Sequence, residues 1–232
     1  MKQTKIREIF CSLQGEGKYA GIKQVFVRFF ECNLTCKWCD TPVDFVTGRS
    51  AQELTVEQVQ VQVAELWDHC HSVSFTGGEP LLQKDFIQAI VPLWRAEGKK
   101  VYLETNGTLA AALTETINII DFIAMDIKLP SSTRCRPFWQ EHEEFLQVAL
   151  KNNMVDLFIK SIISNETVKQ DIEEMVKLLS RQKQALTLVL QPNSFELRTG
   201  VVDKCLEFQN YCLEHLSDVR VIPQWHKFLN LR

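Results

Sequence analysis

Short apolar segments rich in β-branched and aromatic residues recur along the chain and alternate with longer amphipathic segments. Short runs of this composition are typical of strands, and apolar residues spaced three and four apart are typical of helices. The predicted strands are 25–30, 73–76, 101–104, 122–127, 157–163 and 186–191. The predicted helices are 56–67, 85–97, 166–181 and 201–216, with weaker helical patterns at 110–118 and 141–150.

The alternation of strands with helices predicts parallel strands joined by helical crossovers, and therefore an α/β sheet. The pattern alone does not separate an open sheet from one that curls toward a barrel. Segment 129–138, which contains Pro130 and Pro137, is predicted to be a loop. The sequence contains no internal repeat or linker, so we expect residues 1–232 to form a single domain.

The composition is that of an ordinary globular protein, with 45% hydrophobic and 24% charged residues. The formal net charge of −3 gives no electrostatic footprint for nucleic acid or for an anionic membrane surface. No apolar run is long enough to span a bilayer, and the first ten residues lack the apolar core of a signal peptide. We therefore expect a cytoplasmic protein without nucleic-acid or membrane partners.

Three of the eight cysteines lie within eight residues, in the segment Cys32-Asn-Leu-Thr-Cys36-Lys-Trp-Cys39. The segment follows the predicted strand 25–30, at the strand end where α/β proteins bind ligands. A closed zinc site or an electron-transfer cluster needs a fourth ligand, and no nearby paired Cys or His motif supplies one. Three thiolates on a [4Fe–4S] cluster would leave one iron open. The remaining cysteines, at positions 11, 70, 135, 205 and 212, are expected to be inert hydrophobic residues.

The C-x₃-C-x₂-C spacing, with Trp38 before the last cysteine, resembles that of the radical S-adenosylmethionine enzymes. The resemblance implies a partial (β/α)6-type barrel of parallel strands. It also implies a [4Fe–4S] cluster on Cys32, Cys36 and Cys39 whose open iron binds S-adenosylmethionine, which the cluster's electron splits to give a 5′-deoxyadenosyl radical. The later segment Thr76-Gly77-Gly78-Glu79-Pro80 resembles the GGE motif of these enzymes, although by itself it could be a strand-to-helix turn.

Polar residues follow three more predicted strands, where a barrel assembles its site, although each group could also be a helix cap or turn. Together with the cysteine loop and the glycine motif they complete the expected contacts to S-adenosylmethionine. These contacts are Trp38, Cys39, Asp40, Gly78, Glu79, Glu104, Asp126, Ile127, Lys128, Gln191, Pro192, Asn193 and Ser194.

Two further segments indicate which family of these enzymes the chain resembles. Ser12-Leu13-Gln14-Gly15-Glu16-Gly17 and Gln224-Trp225-His226-Lys227 are similar to motifs of the 7-carboxy-7-deazaguanine synthases, enzymes of queuosine and deazapurine biosynthesis. The chain departs from that family's pattern at Phe30-Glu31 and at Trp225. The resemblance implies conversion of 6-carboxy-5,6,7,8-tetrahydropterin to 7-carboxy-7-deazaguanine with loss of ammonia. It further implies Mg²⁺, a homodimer and an external, flavodoxin-like electron donor.

The same resemblance implies an N-terminal substrate segment, at about 6–31, and a C-terminal closing segment, at about 221–232. The expected substrate contacts are Leu13, Gln14, Gly15, Glu16, Arg28, Thr76, His226 and the terminal carboxylate of Arg232, with Thr41 as the Mg²⁺ ligand. Arg28 would pair with the substrate's carboxylate, because a charge in a strand of Val and Phe is costly unless it is paired.

Several alternatives stay open at this point. Arg28 could point outward from an edge strand, Asp40 and Thr41 could cap a helix, and the C-terminal segment could only cover the core. The chain could also be an activating enzyme that forms a glycyl radical on another protein, or a non-enzymatic iron–sulfur or zinc module.

Overall fold

The computed structural model of the chain describes residues 2–39 and 51–231. The strands are β1 Gln3–Leu13, β2 Lys23–Phe29, β3 Gln52–Thr55, β4 Ser72–Gly77, β5 Val101–Thr105, β6 Phe122–Asp126, β7 Asp156–Ile163, β8 Leu188–Pro192 and β9 Val219–Val221. The α-helices are α1 Val56–Leu66, α2 Lys84–Ala96, α3 Ala110–Thr116, α4 Pro130–Thr133, α5 Trp139–Ala149, α6 Lys169–Ser180, α7 Val201–Leu213 and α8 Trp225–Phe228. Three predicted site residues, Asp40, Thr41 and Arg232, lie outside the described residues.

One sheet joins the nine strands in the order β3-β1-β2-β4-β5-β6-β7-β8-β9. Neighbouring strands are parallel from β2 through β9, whereas β1 is antiparallel to both β2 and β3. The predicted α/β fold with parallel strands is confirmed, and the six predicted strands correspond to β2 and β4–β8. Within the described residues β3 and β9 are the two ends of the sheet, which does not close.

The sequence pattern does not predict β1, β3 and β9. Strand β1 alternates only partly, because charged residues such as Lys5 and Arg7 lie among its apolar ones. Strands β3 and β9 have four and three residues, too few to show a period. The prediction of a loop at 129–138 is wrong for α4, since Pro130 fits the first turn of a helix and Arg134 ends it with a φ of 63°.

The longer helices and one face of the sheet enclose the main hydrophobic core. Strand residues of this core include Leu103, Ile123 and Ile159, and the apolar stripe of α2 contributes Ile90 and Trp94. Burying a large apolar side chain stabilises the fold by about 1.5–3 kcal/mol, so this face holds the scaffold together. Among the described residues, no helix has both the length and the apolar character needed to cross a membrane.

The opposite face of the sheet carries a second, smaller set of buried apolar residues, which we call the inner cluster. The inner cluster consists of Tyr102, Ala124, Phe158 and Val189, one residue from each of β5–β8. These positions alternate with main-core positions along each strand, as side chains on opposite faces of a strand must. The sheet therefore has a face covered by helices and a face on which a site can be built.

The connection between β1 and β2 crosses this second face. Its Tyr19 ring packs edge-on against Tyr102 and Phe122, with ring centroids 5.9 and 5.1 Å apart. The Tyr19 hydroxyl and the Lys18 ammonium donate to Asp156 at the start of β7, at 2.6 and 2.8 Å. Residues Gln14–Glu16 come just before Lys18 and Tyr19 in the sequence. The contacts of Lys18 and Tyr19 therefore bring Gln14–Glu16 over the carboxyl ends of the parallel strands.

Candidate active site

Six polar side chains from adjacent parallel strands form a layer beside the inner cluster. This polar layer consists of Arg28 on β2, Thr76 on β4, Glu104 on β5, Asp126 on β6, Lys160 on β7 and Gln191 on β8. The last four lie two residues after inner-cluster residues, and side chains two positions apart in a strand share a face. The register also pairs Arg28 with Thr76 and Asp126 with Lys160. The polar layer therefore lies toward the carboxyl edge of the sheet.

A cavity of about 930 Å³ lies against this layer. The volume is near the upper end of the usual range for small-molecule sites, about 300–1,000 Å³. The predicted site residues that line it are Leu13, Gln14, Gly15, Glu16, Arg28, Cys32, Cys36, Trp38, Cys39, Thr76, Gly78, Glu104, Asp126, Lys128 and His226. The cysteine loop, the segment around Gln14–Glu16 and the segment around His226 thus face one space.

The cysteine loop, residues 32–39, is held against α4. The Lys37 backbone N–H donates to the Thr133 carbonyl at 2.9 Å, and the Trp38 indole N–H donates to the Ser132 carbonyl at 2.6 Å. The Lys128 ammonium lies 5.7 Å from the centroid of the Trp38 ring, within the range of a cation–π contact. Trp38 therefore fixes the loop to the chain that follows β6.

The three thiols of this loop are accessible from the cavity: Cys32 and Cys39 are exposed and Cys36 is half-buried. In the described part of the chain, no three His, Cys, Asp or Glu side chains already surround one metal position. The donor chemistry fits an iron–sulfur cluster, because cysteine thiolates are the ligands that such clusters use. Cys135 lies with its sulfur 4.0 Å from that of Cys36, a neighbour that no sequence spacing indicates.

Gly77 and Gly78 place the end of β4 against the backbone that leads into the cysteine loop. A Cβ at Gly78 would lie 1.9 Å from the carbonyl oxygen of Glu31, and a Cβ at Gly77 would lie 2.3 Å from that of Phe29. Gly77 also has a φ of 106°, where a side chain would be strained. The neighbouring backbone therefore requires glycine at both positions.

The Glu79 carboxylate is completely buried behind this turn. It accepts hydrogen bonds from the Thr105 hydroxyl at 2.8 Å and from the backbone N–H groups of Leu81 and Asn106 at 3.0 and 2.8 Å. Burial raises the pKa of Glu79 to about 7 in spite of these donors. Glu79 thus ties the glycine turn to the end of β5, and Gly78 lines the cavity in front of it.

Two predicted substrate residues hold the Glu104 carboxylate. The Thr76 hydroxyl donates to Glu104 Oε2 at 2.6 Å, and the Gln14 amide donates to Glu104 Oε1 at 2.8 Å. The same amide donates to Gln24 at 3.1 Å and accepts from the Glu16 backbone N–H at 3.0 Å. Because these contacts engage both ends of the Gln14 amide, its main role in the described structure is to organise the cavity wall.

Four charges of alternating sign cross the cavity floor, and we call them the charge chain: Glu16, Lys160, Asp126 and Lys128. The Lys160 ammonium pairs with Glu16 and lies 3.5 Å from Asp126 Oδ2, which pairs with Lys128 at 2.9 Å. Asp126 Oδ1 is buried and has no hydrogen-bond partner among the described residues. A buried acceptor without a donor is costly, so this oxygen fits a ligand that donates a hydrogen bond from the cavity.

The electrostatics of the charge chain keep Glu16 ionised. Burial by itself would raise the pKa of Glu16, but the Lys160 ammonium and the Gln224 amide, which donates at 2.5 Å, lower that pKa to about 2. Burial likewise opposes the charge on Lys160, and the carboxylates of Glu16 and Asp126 raise its pKa above the ordinary lysine value.

Arg28 lines the cavity from β2, which lies between β1 and β4 and is not an edge strand. Its Nε donates to Glu8 at 2.9 Å, and its guanidinium lies 5.6 Å from the centroid of the Phe10 ring. The alternative that Arg28 points outward from an edge strand is therefore wrong.

The C-terminal segment contacts the N-terminal motif directly. The Trp225 backbone N–H donates to the Gly15 carbonyl at 2.8 Å, and a Cβ at Gly15 would lie 2.1 Å from Nδ1 of His226. His226 lines the cavity, while the Trp225 side chain is 47% exposed. The two segments that narrowed the sequence resemblance thus meet at one wall of the cavity.

Six predicted cofactor contacts within the described residues do not line the cavity: Glu79, Ile127, Gln191, Pro192, Asn193 and Ser194. Asn193 accepts from the Phe195 backbone N–H at 3.1 Å, and the Ser194 hydroxyl accepts from Lys227 at 2.9 Å. Phe195 lines the cavity next to them.

The structure adds cavity residues that the sequence reasoning missed, chiefly Lys160, Gln224 and Glu8. A count of two from Phe158 within the predicted strand 157–163 would have found Lys160, since both belong to one face. No comparable period reaches Glu8 or Gln224.

The model of the Radical SAM superfamily matches residues 27–179. This range contains the cysteine loop, the glycine turn and most of the polar layer. The chain therefore belongs to the radical S-adenosylmethionine superfamily and is a radical enzyme. Membership supports a [4Fe–4S] cluster and S-adenosylmethionine as its cofactors.

Similarity to named relatives identifies the family within this superfamily. The chain is 38% identical to the 7-carboxy-7-deazaguanine synthase of Geobacter sulfurreducens, over 97% of each chain. It is 33% identical to the enzyme of that name from Thermoplasma acidophilum, over 97% of this chain and 96% of that one. The crystal structure of QueE from Escherichia coli has the same fold, with a TM-score of 0.64 at 22% identity, covering 97% of this chain and 95% of that one. The chain belongs to the 7-carboxy-7-deazaguanine synthase family.

Proposed function

We propose that this enzyme converts 6-carboxy-5,6,7,8-tetrahydropterin to 7-carboxy-7-deazaguanine with loss of ammonia, in queuosine and deazapurine biosynthesis. The observation that carries the proposal is a single cavity that joins the cysteine loop to Glu16 and Arg28. A carboxylated pterin presents ring N–H donors and an anionic carboxylate. The ionised Glu16 can accept from the donors, and the Arg28 guanidinium can pair with the carboxylate.

Cys32, Cys36 and Cys39 would hold the [4Fe–4S] cluster. When bound, the cluster and S-adenosylmethionine supply the 5′-deoxyadenosyl radical that removes hydrogen from C6 of the pterin. We assign S-adenosylmethionine to the part of the cavity near the cysteine loop, where Trp38, Gly78, Asp126 and Lys128 are accessible. Asp126 Oδ1 is the acceptor available there for one of its donors.

The remaining cofactor contacts stay predictions from the family resemblance: Asp40, Glu79, Glu104, Ile127, Gln191, Pro192, Asn193 and Ser194. Mg²⁺ bound through the Thr41 hydroxyl belongs to the same group, since a hydroxyl, substrate oxygens and waters suit this cation.

The substrate would lie between the N-terminal and C-terminal segments. Leu13 and Gly15 line the cavity beside Glu16, and His226 covers Gly15, so this wall can exclude water from the pterin ring. Thr76 and Gln14 hold Glu104 rather than standing free, so we assign them to the support of this wall. The terminal carboxylate of Arg232 stays a predicted substrate ligand.

The domain, the oligomeric state and the electron donor belong to the same proposal. We infer one radical S-adenosylmethionine domain over residues 1–232, in which segments of about 6–31 and 221–232 bind the substrate. A homodimer and an external, flavodoxin-like electron donor complete the assembly.

The test is anaerobic reconstitution with iron and sulfide, followed by S-adenosylmethionine, dithionite, Mg²⁺ and carboxytetrahydropterin. We expect the ultraviolet chromophore of the deazaguanine to appear with the reconstituted enzyme and not with a Cys36→Ala variant. A reconstituted enzyme that cleaves S-adenosylmethionine but leaves the pterin unchanged would contradict the proposed substrate. In that case a glycyl-radical role is the alternative to test.

A further inference from the structure

The charge chain contains one lysine for which the resemblance gives no role. Lys160 lies on β7 with 9% of its surface exposed, and its ammonium reaches the cavity between Glu16 and Asp126. Glu16 belongs to the connection after β1, whereas Asp126 ends β6 beside Lys128 and the cysteine loop. Lys160 therefore joins the substrate side of the cavity to the cofactor side.

A buried lysine must be paired, because its ammonium loses hydration on burial. Lys160 has two carboxylate neighbours, and Glu16 in turn accepts from both Lys160 and Gln224. These two donors occupy one oxygen each of Glu16, and every carboxylate oxygen has a second acceptor site. Glu16 can thus stay fixed by the protein and still accept a hydrogen bond from a molecule in the cavity.

The other charged and titratable groups near this pair set its electrostatic balance. They are Asp126 on β6, Lys128 after β6, Glu104 and Tyr102 on β5 and His226 in the C-terminal segment. The charge chain itself contains two carboxylates and two ammonium groups. Removal of the Lys160 ammonium would therefore leave Glu16 near Asp126 and Glu104 without the cation that offsets their charges.

We propose that Lys160 is a positioning residue that keeps the Glu16 carboxylate ionised and directed into the cavity, where it accepts the ring N–H donors of the pterin. The inference rests on the proposed function for the identity of the substrate. It assigns Lys160 to substrate binding, because its ammonium pairs with Glu16 more closely than with Asp126, which lies 3.5 Å away.

The main test replaces Lys160 by Met, which keeps the length of the side chain and removes the charge. We expect the KM for carboxytetrahydropterin to rise 10- to 100-fold at pH 7 while kcat changes less than threefold. We also expect the KM of Lys160→Met to fall as the pH rises from 6 to 8.5, because Glu16 without its cation must first lose a proton. The KM of the wild type should stay flat, since its Glu16 is ionised throughout this range.

A double-mutant cycle shows whether Lys160 acts through Glu16. Glu16→Gln removes the charge that Lys160 holds, so adding Lys160→Met to Glu16→Gln should raise the KM less than twofold further and abolish the pH dependence. Additive effects would overturn the proposal, as would a pH-independent KM in Lys160→Met. A loss of kcat at unchanged KM would also overturn it and would make Lys160 part of the chemical step.

Equilibrium binding separates this inference from the proposed reaction. Fully oxidised 6-carboxypterin is fluorescent, so its affinity for the reconstituted protein is measurable without turnover. If the wild type binds this pterin but forms no deazaguanine, the proposed reaction is wrong. The Lys160 prediction is then tested by comparing the pterin dissociation constants of the wild type and Lys160→Met.

Two controls guard against misfolding. Lys99→Met removes another buried, ion-paired lysine, which lies outside the cavity and pairs with Glu97, and pterin affinity should be unchanged. If Lys160→Met does not fold, Lys160→Gln removes the charge but retains a donor for Glu16, and the same pH-dependent KM is expected. Equal iron content and equal thermal midpoints in the variant and the control identify the folded proteins.

Discussion

The two sides of the cavity are built in different ways. On the side of the cysteine loop, backbone contacts dominate: Gly78 lies against Glu31, and the Leu81 and Asn106 N–H groups hold Glu79. On the side of Glu16, side chains far apart in sequence dominate, such as Gln224, which lies 208 positions away. Backbone groups are present whatever the side chain at a position, whereas the second side depends on particular side chains. Substitutions on the first side should therefore affect the cluster, and substitutions on the second should affect the pterin.

The largest expected effect is on the cysteine-loop side. Replacement of Cys32, Cys36 or Cys39 by Ala removes a cluster ligand, so turnover should fall more than 1,000-fold, about 4 kcal/mol of transition-state stabilisation. Iron and sulfide analysis after reconstitution, together with cleavage of S-adenosylmethionine, measures the loss. Cys212→Ala is the matched control, because this buried thiol lies in α7, away from the cavity. Loss of the cluster in Cys212→Ala would contradict the ligand assignment.

The next effect tests the backbone contact itself. Gly78→Ala would place a Cβ 1.9 Å from the Glu31 carbonyl oxygen, so the chain entering the cysteine loop must shift. We expect at least a tenfold loss of turnover with reduced iron content per chain. Gly21→Ala is the control: its φ of 95° is also unfavourable for a side chain, but no atom lies within 4 Å of the added Cβ. Gly21→Ala should lose about 1 kcal/mol of stability and keep its cluster, and equal iron loss in both would show that backbone strain, not the contact, matters.

The same contrast explains which parts of the site the sequence predicts. The cysteine loop and the glycine turn follow predicted strands, and their function depends on spacing within eight and five residues, which the sequence displays. The six parallel strands also follow from local apolar runs. Strand β1 does not, because charged residues such as Lys5 and Arg7 interrupt the alternation of its apolar residues.

Contacts between residues far apart in the sequence show the limit of local patterns. Lys160 lies inside an apolar strand, and its role in the site can be recognised only once the face of the strand that lines the cavity is known. Glu16 pairs with Gln224, which lies 208 positions away, and Cys36 contacts Cys135, which lies 99 positions away. No helix or strand period connects residues so far apart. Glu79 is an intermediate case: the motif is evident, but its three protein donors are not.

A third change tests the amide that organises the substrate side. Gln14→Met preserves size but leaves Glu104, Gln24 and the Glu16 N–H each without one hydrogen-bond partner. Leaving a buried polar group unpaired costs about 1–3 kcal/mol. A loss of about 1–2 kcal/mol from pterin binding would raise the KM about 5- to 30-fold. Steady-state kinetics should show this rise at unchanged iron content and unchanged uncoupled cleavage of S-adenosylmethionine. Gln209→Met removes a comparable amide on α7 and serves as the control. A fall in cluster content in Gln14→Met would contradict the proposed separation of the cavity into a cluster side and a substrate side.

The smallest expected effect concerns the anchor of the β1–β2 connection. Burial opposes the charge on Asp156, but hydrogen bonds from Lys18 and Tyr19 hold the pKa of Asp156 below its usual value. An aspartate whose pKa is lower in the folded state contributes stability above its unfolded pKa, and that stability is lost as the pH falls through its folded pKa. Because about a third of this side chain is exposed, solvent screening limits the contribution to about 0.5–1 kcal/mol.

Asp156→Asn should therefore lower the free energy of unfolding by about 0.5–1 kcal/mol at pH 7, and the difference from the wild type should shrink as the pH falls through the lowered pKa of Asp156. Urea unfolding of the cluster-free protein across this pH range measures the difference. The connection keeps its other anchors, including the Tyr19 ring contacts and the Gln14 backbone pairing with Ile22, so the pterin KM should change less than threefold. A KM increase as large as that of Gln14→Met would mean that Asp156 alone holds the connection over the cavity, and the substrate side would then depend on one ion pair rather than on its network of hydrogen bonds.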